Sequence, residues 1–277
     1  MVAATFPHCT PPSIADLTEL DGTFELPAAV APGVREHRGP CLGQNRWVDY
    51  TDGRLMFRAP QDDEAGSVRR GPDAGDFPLG LEIGRDGVLY IPDSAGANAH
   101  VVVFLHGAGG TARRELRAVI AAADRFGVVI AAPDSRGMSW DVLEGGFGPD
   151  VAFMDRMLES LDNRLDVDLS RLAIGGISDG ASYALSLGVV NGDLFQAVVA
   201  FSPGFAVAPA VVGRPRIFVS HGTEDPILPI DATSRRLVPG LRSEGYDVTY
   251  REFTGGHTVP PSIADAGFAW LVGATSG

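Results

Sequence analysis

Strands and helices alternate along most of this chain, and the alternation is written in its apolar positions. Residues 100–105 (HVVVFL) and 128–132 (VVIAA) are short, β-branched apolar runs of the kind buried on both faces of a sheet; residues 111–126 between them have helical spacing. Val151, Phe153, Met154, Met157 and Leu161 recur at helical intervals over 150–163, and 172–177 (LAIGGI) follows as a strand. The same reading predicts strands over 197–201, 216–220 and 248–253 and helices over 179–187, 232–244 and 259–272. Ahead of this series stand a short strand at 54–59, a polar loop of mixed charge at 61–76, and a strand at 87–91 ended by Pro92. Such an order predicts an α/β fold: a mostly parallel sheet, helices on both faces, and ligands at the carboxyl ends of the strands.

Composition refines this picture. Residues 1–50 are rich in Pro, Gly and Thr without periodicity, so they read as an irregular extension, leaving 51–277 as one catalytic-sized domain. Acidic residues outnumber basic ones by 35 to 22, a net charge of −13 that repels phosphate backbones and anionic lipids and so speaks against nucleic-acid or membrane-surface partners. No run approaches the roughly 20 apolar residues of a membrane span. Residues 1–12 carry neither a basic nor an apolar leader region, so a cytoplasmic location is expected, although a secreted form after processing would begin the same way. Cys9 and Cys41 are free to form one disulfide or to remain thiols. Neither sits near a His, Asp or Glu cluster, so no metal site and no cysteine nucleophile is expected. Oligomeric state is not readable.

The chemistry gathers around Gly176-Ile177-Ser178-Asp179-Gly180, a GxSxG pattern between a predicted strand and a predicted helix. A chain that turns this abruptly forces its apical residue into strained angles and brings two backbone segments together, and glycines two positions either side remove the collision. The following helix aims its free N–H groups at the apex. A serine hydroxyl needs a base, and the base needs a third group to orient it. Asp225, in the turn after the strand 216–220, and His257, in the Gly-Gly-His-Thr turn after the strand 248–253, supply both in the order Ser, Asp, His. Taken singly, Asp225 reads as an Asx turn and His257 as a helix cap; their joint placement favours chemistry. Glu224 and Asp231 are rival acids, Glu224 facing the other way in the turn and Asp231 capping the next helix.

His106-Gly107-Ala108-Gly109-Gly110 follows the strand 100–105 and offers an oxyanion hole: the Ala108 N–H, with Gly107 as second choice, beside the Asp179 N–H. His106 reads as a structural histidine bracing that loop. The same stretch, 107–112, also matches GxGxxA, the dinucleotide-binding fingerprint, with Asp134 at the end of the next strand as a ribose-binding acid. That alternative, a nucleotide-dependent oxidoreductase, has to accommodate a strand at 87–91 before the motif and leaves Ser178, Asp225 and His257 without a role.

Together, HGAGG (106–110), APDSRGMSWD (132–141), GGFGPD (145–150), GISDG (176–180), HGTEDPILP (221–229) and GGHT (255–258) resemble the α/β-hydrolases, and within them the bacterial phospholipase/carboxylesterase-type serine esterases. The resemblance runs from about residue 87 to 272. It implies an α/β-hydrolase fold and hydrolysis of carboxylic esters through an acyl-enzyme on Ser178, with His257 as base and then acid, Asp225 orienting it, and no metal or cofactor. The connection 202–215 is too short for a helical cap domain, so an open site is expected. Met138, Trp140 and Phe147 are expected on one wall and Phe205 on the other, with plain core packing an equal alternative for each. An open, partly aromatic cleft suits small-molecule substrates, namely short-chain acyl or aryl esters, with feruloyl or polyester substrates as the alternative.

Overall fold

The structure, a computed structural model, describes residues 38–40, 47–58, 73–97, 99–165 and 171–274. Cys9, Cys41, most of the extension and most of the 61–76 loop lie outside them. In order, the elements are β1 (Arg38–Pro40), β2 (Trp47–Asp49), β3 (Gly75–Pro78), β4 (Gly87–Ile91), β5 (Val101–Leu105), α1 (Ala112–Glu115), α2 (Ile120–Phe126) and β6 (Val129–Pro133). Then come α3 (Asp141–Glu144), α4 (Pro149–Arg164), β7 (Leu172–Ile177), α5 (Asp179–Val190), β8 (Ala197–Phe201), β9 (Arg216–Gly222), α6 (Ser234–Ser243), β10 (Val248–Phe253) and α7 (Pro261–Leu271).

Eight strands form one sheet in the order β10-β9-β8-β7-β5-β6-β4-β3, and β4 alone runs against the rest. Because neighbouring Cβ atoms along a strand point to opposite faces, the apolar runs feed two cores. Val101, Val103, Leu105, Leu172, Ile174, Val198 and Val219 face α4, α5 and α6; Val102, Phe104, Ala173, Val199, Phe201 and Phe218 face α1, α2 and α7. From β5 the chain moves to β6 on one side and then to β7 on the other. This reversal opens a crevice at the carboxyl ends of β5 and β7, where loops can meet a ligand.

Four expectations change. Residues 54–58 form no strand: Leu55 and Phe57 are buried and Met56 is exposed, but the backbone is bonded by side chains instead of a neighbouring strand. Asp155 accepts from the Met56 N–H, the Phe57 N–H and the Tyr50 hydroxyl, and Asn191 takes the Leu55 N–H at 2.9 Å. Tyr50 is thereby part of the core, and β1 and β2 pair as a small antiparallel sheet within the stretch expected to be irregular. The helix expected over 111–126 breaks into α1, a 3-10 turn (Leu116–Ala118) and α2, with the fully buried Val119 at the break. β3, which starts in the last two residues of the expected polar loop, closes the sheet edge.

The loop from β6 to α4 is held by two buried carboxylates. Asp141 Oδ2 accepts the N–H groups of Gly148 and Asp150 at 2.8 Å, Asp150 Oδ2 accepts the Asp141 N–H, and Asp150 Oδ1 accepts the Arg136 N–H. Tyr183 of α5 donates its hydroxyl to Asp141 Oδ1 at 2.6 Å. Trp140 lies flat on the Tyr183 ring, 5.2 Å between centroids, and Phe147 packs on its other flank. Trp140 and Phe147 are 1% and 3% exposed, so both are core residues and not the expected cleft wall. Burial first, and then the neighbouring Asp141 charge, push the Asp150 carboxyl up to about 7.

Two predictions come from these anchors. Asp155→Ala leaves three donors without their acceptor, and a loss of about 2–4 kcal/mol in urea unfolding is expected; a change under about 0.5 kcal/mol refutes the clamp. Because the Asp150 carboxyl rises on folding, its contribution to stability is complete below about pH 4 and is given up as pH climbs to about 7. Asp150→Asn, which cannot ionise, should therefore gain on the wild type in urea midpoint between pH 4.5 and pH 8. A difference that stays constant with pH contradicts this.

Candidate active site

Ser178 sits between β7 and α5 with φ 58° and ψ −122°, a left-handed conformation that costs a serine on the order of 1–3 kcal/mol. Its N–H is bonded to Phe201 O at 2.9 Å, and its carbonyl accepts the Ser182 N–H at 3.0 Å. Glycine is required at 176 and 180 by the end of β5: a Cβ on Gly176 would lie 2.6 Å from Leu105 O, and one on Gly180 2.2 Å from the same atom. The elbow therefore seats directly against the strand that delivers the glycine-rich loop. On α5, Ser182 Oγ accepts the Gly204 N–H and Ser186 Oγ the Val207 N–H, each at 2.9 Å, tying the loop after β8 to the helix. These two serines continue a repeat of every fourth residue from Ser178 that is visible in the sequence.

His106 is fully buried and braces its loop as expected. Its Nε2 accepts the Ser135 N–H at 3.0 Å, which leaves the proton on Nδ1 to be donated to Gly107 O at 2.7 Å. Its own carbonyl accepts Trp140 Nε1–H at 2.8 Å. The Gly109 N–H goes to Met138 O and the Gly110 N–H to Gly107 O. Ala108 N–H has no partner among the described residues, and Asp179 N–H, at the first position of α5, has no intrahelical acceptor. A Cβ on Gly107 would lie 3.3 Å from Ser178 Cβ, so this loop borders the serine. Asp134, the ribose-binding acid of the dinucleotide alternative, instead accepts the Ala112 N–H at 2.7 Å, and the helix there is only α1.

Asp225 carries both roles considered for it. Oδ1 accepts the N–H groups of Ile227 and Leu228, each at 2.9 Å, as in an Asx turn, while Oδ2 accepts His257 Nδ1–H at 2.6 Å. Burial opposes its charge, but the Leu228 N–H, His257 and the Ile227 N–H outweigh it and hold the carboxyl below its ordinary value. The two loops meet because their backbones are laced: the Thr223 N–H bonds Phe253 O at 2.8 Å and the Glu224 N–H bonds Gly255 O at 2.9 Å. With Nδ1 on Asp225, His257 Nε2 is left unprotonated to accept a proton; it is not hydrogen-bonded to Ser178 Oγ, a contact that in resting enzymes often tightens only with substrate bound. His257 is not a helix cap, since α7 starts at Pro261. Glu224 is exposed. Asp231 pairs with Arg235 at 2.8 Å instead of capping α6.

Of the expected wall residues, Met138 is 77% exposed and Phe205 half-buried. Ile227, 57% exposed two residues from Asp225, was not anticipated, and neither was His221, whose Nε2 lies 3.2 Å from Asp225 Oδ2.

No protein-family model matches the chain. A probable feruloyl esterase C of Aspergillus oryzae is 26% identical over 157 residues, which is 53% of this chain and 57% of that protein. An acetylxylan esterase A of Emericella nidulans is 25% identical over 151 residues, 51% of this chain and 48% of that protein. The chain thus spans about half the length of the curated relatives it matches. Among solved structures, a truncated carbohydrate esterase from gut microbiota superposes with a TM-score of 0.60 at 15% identity, covering 74% of this chain and 99% of that one. An S-formylglutathione hydrolase from Agrobacterium tumefaciens gives 0.56 at 17% identity, covering 76% and 98%. With its single reversed strand β4, its strained serine between β7 and α5 and these neighbours, the chain has the α/β-hydrolase fold.

Proposed function

We propose that this protein is a serine esterase acting on carboxylic esters, with Ser178 as nucleophile, His257 as general base and acid, and Asp225 as the orienting acid. The observation that carries the reading is the 2.6 Å bond from His257 Nδ1 to a buried, charged Asp225 at the same sheet edge as a serine in a strained elbow. Ser178 Oγ attacks the ester carbonyl carbon while His257 Nε2 takes its proton, and the resulting oxyanion is met by the N–H groups of Ala108 and Asp179. Collapse breaks the bond to the alcohol, which leaves with the proton from His257. Water, deprotonated by the same histidine, then cleaves the acyl-Ser178 ester and restores the serine.

The substrates we propose are short-chain acyl or aryl esters. No helix lies in 202–215, which supports an open site, and the exposed Met138 and half-buried Phe205 supply apolar surface. Feruloyl esters are the second reading, favoured by the names of the curated relatives.

Ser178→Ala should lower kcat by at least about 10⁴-fold and abolish fluorophosphonate labelling, with the circular-dichroism spectrum unchanged; an active alanine variant overturns the mechanism. Comparing p-nitrophenyl esters of increasing chain length with methyl ferulate separates the two substrate readings. Asp225→Asn should cost about 10³–10⁴ in kcat, whereas Asp231→Asn, altering one exposed ion pair, should stay within about twofold. The reverse result would reassign the acid.

A further inference from the structure

We propose that His221 is a positioning residue of this site: resting on the esterase reading above, its Nε2–H is bonded to Leu228 O, which braces the Asp225 turn, and stands 3.2 Å from the same Asp225 Oδ2 that accepts from His257. The side chain is fully buried at the end of β9. Nε2 lies 2.8 Å from Leu228 O and 3.2 Å from Asp225 Oδ2, and Nδ1 lies 2.7 Å from Ser234 Oγ. A carbonyl oxygen can only accept, so Nε2 carries the proton, and Nδ1 accepts the Ser234 hydroxyl proton. The ring is therefore neutral with one orientation, and burial, opposed by Leu228 O and Asp225, holds it below the ordinary histidine range. Asp225 receives three donors, two backbone N–H groups on Oδ1 and His257 Nδ1–H on Oδ2, with the Nε2–H edge of His221 3.2 Å from that second oxygen.

The N–H dipole of His221 and the imidazole of His257 face the same carboxylate oxygen, so removing that dipole should strengthen the pull of Asp225 on the His257 proton. The other charged groups nearby are accounted for. Glu252 on β10 senses His221 but is taken up by Arg235 of α6 at 2.6 Å. Glu115 of α1 faces His257, with burial raising its carboxyl and Arg114 opposing that. Asp231 is held by Arg235, and Glu224 points to solvent.

Asparagine at 221 retains a partner for Ser234 at the position of Nδ1 but has no donor for Asp225, whereas glutamine places an N–H where Nε2 stands. The titration of His257, followed by NMR on the full-length resting protein, should move up by about 0.5–1 pH unit in His221→Asn and stay near the wild type in His221→Gln. The acidic limb of kcat/KM should move with it. If His221→Asn does not fold, Ser234→Ala, which releases Nδ1 and lets the ring turn, should shift His257 in the same direction. An unmoved His257, or equal shifts in the asparagine and glutamine variants, overturns the role of His221. Because the titration needs no turnover, a wild type without esterase activity overturns the esterase reading separately.

Discussion

The contact on which the site depends is the one between the end of β5 and the elbow at Ser178. Leu105 O and His106 O lie where side chains on Gly176 and Gly180 would be, so two glycines let a strand carbonyl and a helix start share the same few ångströms. The left-handed serine persists because its N–H is captured by Phe201 O and its carbonyl by Ser182, so the strain is opposed from β8 and from α5 at once. The approach also sets the loop of Gly107 and Ala108 against the serine, which makes the strained elbow and the loop beside it products of one packing event.

The acid and the histidine are built differently. They sit on the loops after β9 and β10, outside the close-packed sheet, and are brought together by backbone bonds between those loops and by a carboxylate that organises its own turn. One side of the site is thus fixed by sterics and the other by hydrogen bonds. The buried stack of Trp140, Tyr183 and Phe147 backs the steric side, with Tyr183 held by Asp141 and Trp140 bonded to the His106 carbonyl.

Much of this was legible in the sequence where one local cause suffices. The buried parallel strands Leu172–Ile177 and Ala197–Phe201 were read to the residue because both faces demand apolar side chains. The alternation of Leu55, Met56 and Phe57 was also real, but periodicity reports which side chains are buried and not what the backbone bonds to; here the acceptors are Asp155 and Asn191. Residues 111–126 keep a helical spacing of apolar positions throughout, and the break falls at Val119, a fully buried β-branched residue whose backbone leaves the helical region. Trp140 and Phe147 could not be told from cleft residues because an aromatic in a loop looks the same whether it faces ligand or core. Met138, three residues after Ser135, kept the exposure expected of a wall.

The clamp on residues 50–57 bears on how this chain is made. Tyr50, Leu55 and Met56 find their partners 105, 136 and 99 residues further on. On a ribosome the segment emerges early and has nothing to dock against until α4 and the end of α5 have been synthesised. Its apolar side chains, Tyr50, Leu55 and Phe57, must wait in solution through that interval, when long-range contacts are still unformed and association with other chains competes. Docking of this segment therefore cannot be complete before residue 191 is made, by which point β5 and β7 at the sheet's centre already exist.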